Sequence, residues 1–302
     1  MTRTSRAGRK NRAGGENRGL FGFAAVAFGL YGCFLVLPLL LSLRSSFTNE
    51  NPLRATSSFV GLDNYREAVG DEQLRASLVF TLILAVGVTV AANVVGVLFA
   101  MMLNRTTLSY RVMRTVAFLP QVLSGVIVGF VWQTILTRDG LLNSVLQRVG
   151  LTDEPVAWLG SPNLALVSIG VVVAWILTGF TTVVYLAALQ NIPLELNDMA
   201  ALDGVNRRQR FTRVTWPMLA PGTTISVTIS LITVLKLYDV IAVLTGGGPA
   251  DSTQSTALYI VQLAFTSDRF GYASSVAMVL LGLSAVIALS VTNVLRRREV
   301  NL

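Results

Sequence analysis

The sequence predicts an all-α integral membrane protein with six transmembrane helices and a polar helix–turn–helix between the fourth and the fifth. Two observations carry this. Of 302 residues, 53% are hydrophobic and 13% charged, against about 25% charged in soluble domains, and mean hydropathy is +0.62. Six apolar runs are each long enough to cross a bilayer, which takes roughly 20 residues of helix. Backbone groups in hydrocarbon must pair within their own segment, and these runs are too long and too unalternating for barrel strands.

Taken in order, residues 1–19 form a basic tail rich in Arg, Gly and Asn, expected to be disordered. The run 20–43 follows; it is too long for a signal peptide and no A-x-A-like site comes after it, so it reads as an anchor. The remaining spans fall at 77–103, 116–136, 164–189, 222–244 and 272–295, with the polar loop at 190–221. Residues 20–302 form one transmembrane domain. Gly125 and Gly129 make a G-x-x-x-G pair suited to close packing within the subunit. Trp132, Trp158 and Tyr110 suit interfacial anchoring.

The basic residues orient the chain. Arg3, Arg6, Arg9, Lys10, Arg12 and Arg18 lie on one side with Arg105, Arg111 and Arg114, Arg207 to Arg213, and Arg296 to Arg298. Arg44, Arg54, Arg66, Arg75, Arg138, Arg148 and Arg269 lie on the other, diluted by Asp and Glu. The excess sets both termini and the 190–221 loop in the cytoplasm. The net charge of +8 therefore has a membrane explanation. No soluble segment is large enough to be a nucleic-acid-binding domain.

Absences narrow the chemistry. There is no His and a single Cys33, which excludes an internal disulfide, His/Cys metal sites and a His-based triad. No G-x-x-x-x-G-K-[ST] motif occurs, so this chain carries no P-loop ATP site. Gly246-Gly247-Gly248-Pro249 lacks the Lys of a phosphate loop and reads as a turn ending the fifth helix.

In the polar loop, Pro193 suits a first helical turn, and Glu195 and Asp198 sit where the helix dipole favours negative charge. Leu194, Leu196, Met199 and Leu202 recur at helical spacing around Ala200 and Ala201. Gly204 stops the helix in the manner of a C′ glycine. A second helix, from about Asn206 to Thr215, carries four arginines before Pro217, which is expected to break it. Two readings stay open on periodicity alone. The hairpin rests on anionic headgroups, or it docks to another protein.

The loop resembles the EAA loop of binding-protein-dependent ABC importer permeases. Asp198-Met199-Ala200 occupies the EAA triplet, Gly204 follows after three residues, and Val214-Thr215-Trp216-Pro217 comes nine residues later. Asp, Met, Val and Trp replace the usual Glu, Ala, Ile and Leu. Phe59-Val60-Gly61-Leu62-Asp63-Asn64-Tyr65 is similar to the F-x-G-L-x-N-Y segment of the carbohydrate permeases of the maltose and glycerol-3-phosphate type. Phe118-Leu119-Pro120, Gly140-Leu141-Leu142-Asn143, and Tyr238-Asp239 leading to Thr245-Gly246-Gly247-Gly248-Pro249 are similar to further motifs of that subfamily, in the same order.

The resemblance implies the type I ABC importer permease fold with a cytoplasmic coupling helix. It implies a second permease subunit forming a heterodimer, a P-loop ATPase dimer that binds ATP and Mg, an extracytoplasmic solute-binding protein and a sugar substrate. The setting is a bacterial inner membrane, and this chain needs no cofactor of its own. Glu195, Asp198, Met199, Ala200, Asp203 and Gly204 would couple to the ATPase, Asp198 as the main polar contact and Gly204 as the turn.

The transport path is read from two helices. Lys236 and Asp239 are three apart within the fifth run, and intramembrane ionisable residues face an interior or a cavity. They either pair with each other or line the path. The resemblance adds Ser230, Val234, Leu237 and Tyr238 from the fifth helix and Trp175, Ile176 and Leu177 from the fourth. Two other classes compete. A self-contained secondary transporter would need its own coupling site and inverted repeats, and no repeat is evident. A membrane enzyme would need a polar cluster at one face, for which Asp198 and Asp203 are the only candidates.

Overall fold

The computed structural model describes residues 23–51, 53–54, 56–105, 107–193, 195–196, 199 and 204–299. The basic tail at 1–19 and the start of the first run lie outside the described residues. Among those described, four continuous helices are long and apolar enough to cross a membrane, and two bent pairs bring the candidate spans to six.

The first span, α1 (Phe23–Ser45), contains a wide π-turn at Gly32–Val36, closed by the Leu37 N–H donating to the Gly32 carbonyl. The cause sits two residues on. Pro38 has no N–H, and its ring crowds the carbonyl four residues back, so the preceding turn widens. A turn and a short helix carry the F-x-G-L-x-N-Y segment. Gly61 takes φ +60, and α2 (Asp63–Gly70) begins directly after it. Buried Asn64 donates from Nδ2 to the carbonyls of Ser46 (2.8 Å) and Thr48 (2.9 Å). The Tyr65 hydroxyl meets Ser46 Oγ at 2.7 Å, and its ring lies 5.5 Å from that of Phe47. The segment is thus a clip that fixes the end of α1.

The long helix α3 (Glu72–Leu103) starts five residues before the expected run, because Asp71 caps it by accepting from the Leu74 amide. The third run is not one helix. The chain forms α4 (Leu108–Val122), breaks at Leu123–Ser124 and restarts as α5 (Gly125–Leu136), with the segment Gly125–Arg148 turned 97° from α4. Pro120 near the end of α4 denies the ladder an N–H, and Ser124 is extended. The short α6 (Leu141–Arg148) then leads to α7 (Pro162–Gln190), capped by Ser161.

After the polar loop come α8 (Arg207–Met218) and α9 (Ala220–Leu235), bent by 62°. The expectation that Pro217 breaks α8 is corrected. A second π-turn at Phe211–Thr215, with the Trp216 N–H donating to the Phe211 carbonyl, sits two residues before Pro217 and carries the helix through it. The fifth run is likewise broken: Lys236, Leu237 and Tyr238 leave the helix, and α10 (Asp239–Leu244) restarts it. The chain closes with α11 (Thr256–Phe265), which lay outside the six expected spans, and α12 (Phe270–Arg296).

The core lies where α3, α7, α9 and α10 meet, around Leu84, Val88, Ile169, Val172, Val234 and Ile241. In lipid, close packing and interhelical hydrogen bonds hold such a bundle more than solvent exclusion does. Gly96 of α3 gives way to Thr181 of α7, whose Oγ1 donates 2.8 Å to the Ala92 carbonyl. At Gly179 of α7 a side chain would meet the Ala117 carbonyl at 2.6 Å and Phe118 Cα at 2.9 Å. Those small residues let the helices approach to backbone contact.

Candidate translocation path and coupling loop

The two breaks in the bundle face each other. At its start, α5 presents Gly125, Gly129 and Gln133, one below the next at helical spacing. Against them lie the first residues of α10. The Asp239 carboxylate occupies the space a Gly125 side chain would fill, and Val243 does the same at Gly129, where a Cβ would sit 3.0 Å from its own Cβ. Gln133 Nε2 donates 2.8 Å to the Val243 carbonyl. Asp239 also accepts from the Val240 amide at 2.9 Å. One carboxylate therefore lies at the N-terminal ends of two half-helices, where the dipoles favour it.

This geometry decides how Lys236 and Asp239 relate. They form no ion pair. The break at 236–238 removes the helical register that would bring them together, and Asp239 is turned to α5 and to its own helix start. Lys236 is exposed and Asp239 half-buried. The other expected path residues divide. Leu177, Ser230, Val234 and Leu237 are buried within this chain, and the three apolar ones belong to its central core. Ile176 is half-buried. Trp175 and Tyr238 keep 42% and 39% of their surface exposed, and Trp175 meets Trp132 edge-on at 5.6 Å. Of the expected path residues, the exposed ones are thus Trp175, Lys236 and Tyr238.

In the polar loop, Glu195, Leu196 and Met199 are helical, and Met199 is 61% exposed. Asp198, Ala200 and Asp203 lie outside the described residues. Gly204 takes φ +68, a conformation that a side chain strains. Asn206 then starts α8 with a reciprocal cap: its Oδ1 accepts from the Gln209 amide (2.9 Å), and Gln209 Oε1 accepts from the Asn206 amide (3.1 Å). At the bend into α9, fully buried Leu219 packs with Val97, Tyr185 and Leu186. The Tyr185 hydroxyl donates 2.9 Å to Asn93 Oδ1. Leu219 thus anchors the junction of α8 and α9 in the bundle.

Two features of the other face were not foreseen. Asp71 Oδ2 accepts from the hydroxyls of Tyr259 (2.6 Å) and Tyr272 (2.5 Å), and Arg269 makes a bidentate pair with Glu67 while lying 4.5 Å from the Tyr272 ring centre. Burial alone would raise the Asp71 pKa. Hydrogen bonds from both tyrosines and from the Leu74 and Gln73 amides outweigh it and hold the carboxyl below its usual value. This latch joins α3 to α11 and α12. The second feature is Asn143, whose Nδ2 donates to the carbonyls of Thr137, Arg138 and Val156, and whose Oδ1 accepts from the Val156 amide and the Trp158 indole. The turn after α10 uses Gly246 and Gly247 at φ +61 and +96. Cap-type residues at 71 and 255 were the available sequence signals for α3 and α11; the tertiary partners of Asp71 had none.

Four continuous spans and two bent ones packed around a common core define a multi-pass helical membrane protein. The chain belongs to the family of binding-protein-dependent transport system inner membrane components, whose model matches residues 92–300. It is 31% identical over 268 residues to the probable starch degradation products transport system permease protein AmyD of Thermoanaerobacterium thermosulfurigenes, covering 89% of this chain and 90% of the relative. It is 30% identical over 278 residues to the multiple sugar-binding transport system permease protein MsmF of Streptococcus mutans, covering 92% and 95%. Its fold matches a chain of a bacterial ABC transporter involved in the import of the acidic polysaccharide alginate, with TM-score 0.82, 24% identity, and 96% and 99% of the two chains covered.

Proposed function

We propose that this chain is one of two permease subunits in an ATP-driven importer of a sugar or sugar derivative. The observation that carries the reading is the family match across 92–300 together with relatives named for starch products and for multiple sugars. The second permease, a P-loop ATPase dimer and an extracytoplasmic solute-binding protein complete the assembly. ATP and Mg belong to the ATPase, and this chain contributes none of that chemistry. It sits in a bacterial cytoplasmic membrane with both termini and the 190–221 loop inside, as the distribution of arginines supports.

The mechanism follows from connectivity. The segment Glu195 to Gly204 seats in the ATPase, with Asp198 as its polar contact, Met199 and Ala200 packed into the cleft and Asp203 beside the turn. Gly204 gives the reversal that lets α8 leave in a new direction. Motion of the loop is carried by α8 across the Leu219 junction into α9, and from there to the break at 236–238. Because α10 is docked on α5 through Gly125, Gly129 and Gln133, the two broken helices move as a pair. A sugar at that level would meet Trp175 and Tyr238 for stacking and Lys236 for a polar contact. Ile176, Leu177, Ser230, Val234 and Leu237 then hold the wall behind it. Switching between two access states requires that ATP bind one of them better through these contacts.

Co-purification tests the coupling role. The tagged chain retains a P-loop ATPase, and Asp198→Lys or Gly204→Pro loses it while the second permease stays bound. Retention of the ATPase by both variants would overturn the assignment of this loop.

A further inference from the structure

The two limbs of the 190–221 loop differ in charge. Its acidic residues, Glu195, Asp198 and Asp203, all precede Gly204, and none occurs from Gly204 to Leu219. Arg207, Arg208 and Arg213 are exposed on α8. The helix is inclined 62° to α9, so with α9 crossing the bilayer α8 runs closer to the membrane plane than to its normal. Trp216 is 50% exposed one turn before α9 begins, its ring 5.9 Å from that of Phe211. An amphipathic ring one turn from a candidate span, beside guanidinium groups, suits the boundary between headgroups and acyl chains.

We infer that α8 is a binding surface for anionic phospholipid headgroups, with Arg207, Arg208 and Arg213 on the phosphates and Trp216 at the acyl boundary. The loop then serves two partners. Its acidic limb is repelled by an anionic leaflet and is left to protein, while its basic limb is drawn to that leaflet. A docked ATPase could also meet these arginines. The inclination of α8 and the half-exposed Trp216 next to the span favour lipid, because a protein surface below the membrane would not reach the ring. Lipid charge would thereby tune how firmly the base of α9 is held. The inference rests on the proposed function only for the side of the membrane it assigns to the loop.

The test uses the complete complex in nanodiscs containing either brominated phosphatidylglycerol or brominated phosphatidylcholine. Trp216 quenching is taken as the difference between wild type and Trp216→Phe. We expect quenching to favour the anionic lipid, with three arginines enriching it by up to about a hundredfold at low salt. The preference should disappear in Arg207→Gln/Arg208→Gln/Arg213→Gln and weaken in high salt. Equal quenching by the two lipids, a preference that survives the triple substitution, or a Trp216 signal that only the ATPase abolishes would each overturn it. The loop's side is read separately, by impermeant maleimide labelling of Asn206→Cys in a Cys33→Ser background. External labelling there would refute the cytoplasmic assignment and leave the lipid result intact.

Discussion

Replacing Gly125 by alanine would put a methyl group into the space held by the Asp239 carboxylate. The new Cβ would lie 2.6 Å from Asp239 Cγ, whereas carbon atoms rest at about 3.5–4.0 Å. The carboxylate must therefore retreat by roughly 1 Å, loosening its hold on the Val240 amide and on the two helix starts. Overpacking of this kind costs about 1–3 kcal/mol, and the displaced dipole contact adds about 0.3–1 kcal/mol. In an Asp239→Ala background the obstacle is gone, and Gly125→Ala should be close to neutral. Reversible SDS-driven unfolding of the reconstituted subunits, followed by circular dichroism, gives the cycle, and the coupling energy should be about 1–3 kcal/mol. Gly282→Ala is the control: beyond its own stretch of helix nothing lies within 4 Å of the added Cβ, and removal of a helical glycine should stabilise by about 0.5–1 kcal/mol. If Gly125→Ala costs the same with and without Asp239, the docking of α5 on α10 through this contact is wrong.

Asn64→Ala should destabilise by about 1–3 kcal/mol, since it strands the Ser46 and Thr48 carbonyls; protease protection of the segment after α1 would report the loss. Asp71→Asn should lower stability by about 1 kcal/mol at neutral pH, a figure kept small because the group is partly solvated. Its carboxyl is held below its usual value by the two tyrosine hydroxyls and the Leu74 and Gln73 amides, so the stability it gives is complete above the ordinary carboxylate range and lost as pH falls through the folded pKa. The gap between wild type and variant in thermal unfolding should stay flat from pH 5 to pH 8 and close in stronger acid; a gap closing near neutrality would contradict this. Gly204→Ala, at φ +68, should weaken ATPase retention while leaving the bundle's unfolding unchanged.

Composition and run length were sufficient to read a helical membrane bundle, because lipid forces backbone pairing within each segment. They could not reveal the breaks at 123–124 and 236–238. Hydropathy averages over a window, and both breaks are set by local events: Pro120 with an extended Ser124, and a non-helical Lys236 to Tyr238. The G-x-x-x-G pair named a close approach but not its partner, since Asp239 lies more than a hundred residues away. Pro217 was misread for a related reason. Proline forbids one ordinary turn, yet a π-turn two residues earlier relieves the clash, as it does before Pro38. The Tyr259–Asp71–Tyr272 latch joins residues that no local pattern connects.

In the proposed function an external ATPase drives transport through this chain's polar loop. Uptake of a radiolabelled sugar into proteoliposomes, in the presence of its solute-binding protein and internal ATP, tests it most directly. Uptake is expected only when both permeases and the ATPase are present, and should be lost in Gly204→Pro. Uptake by this chain without an ATPase would contradict it.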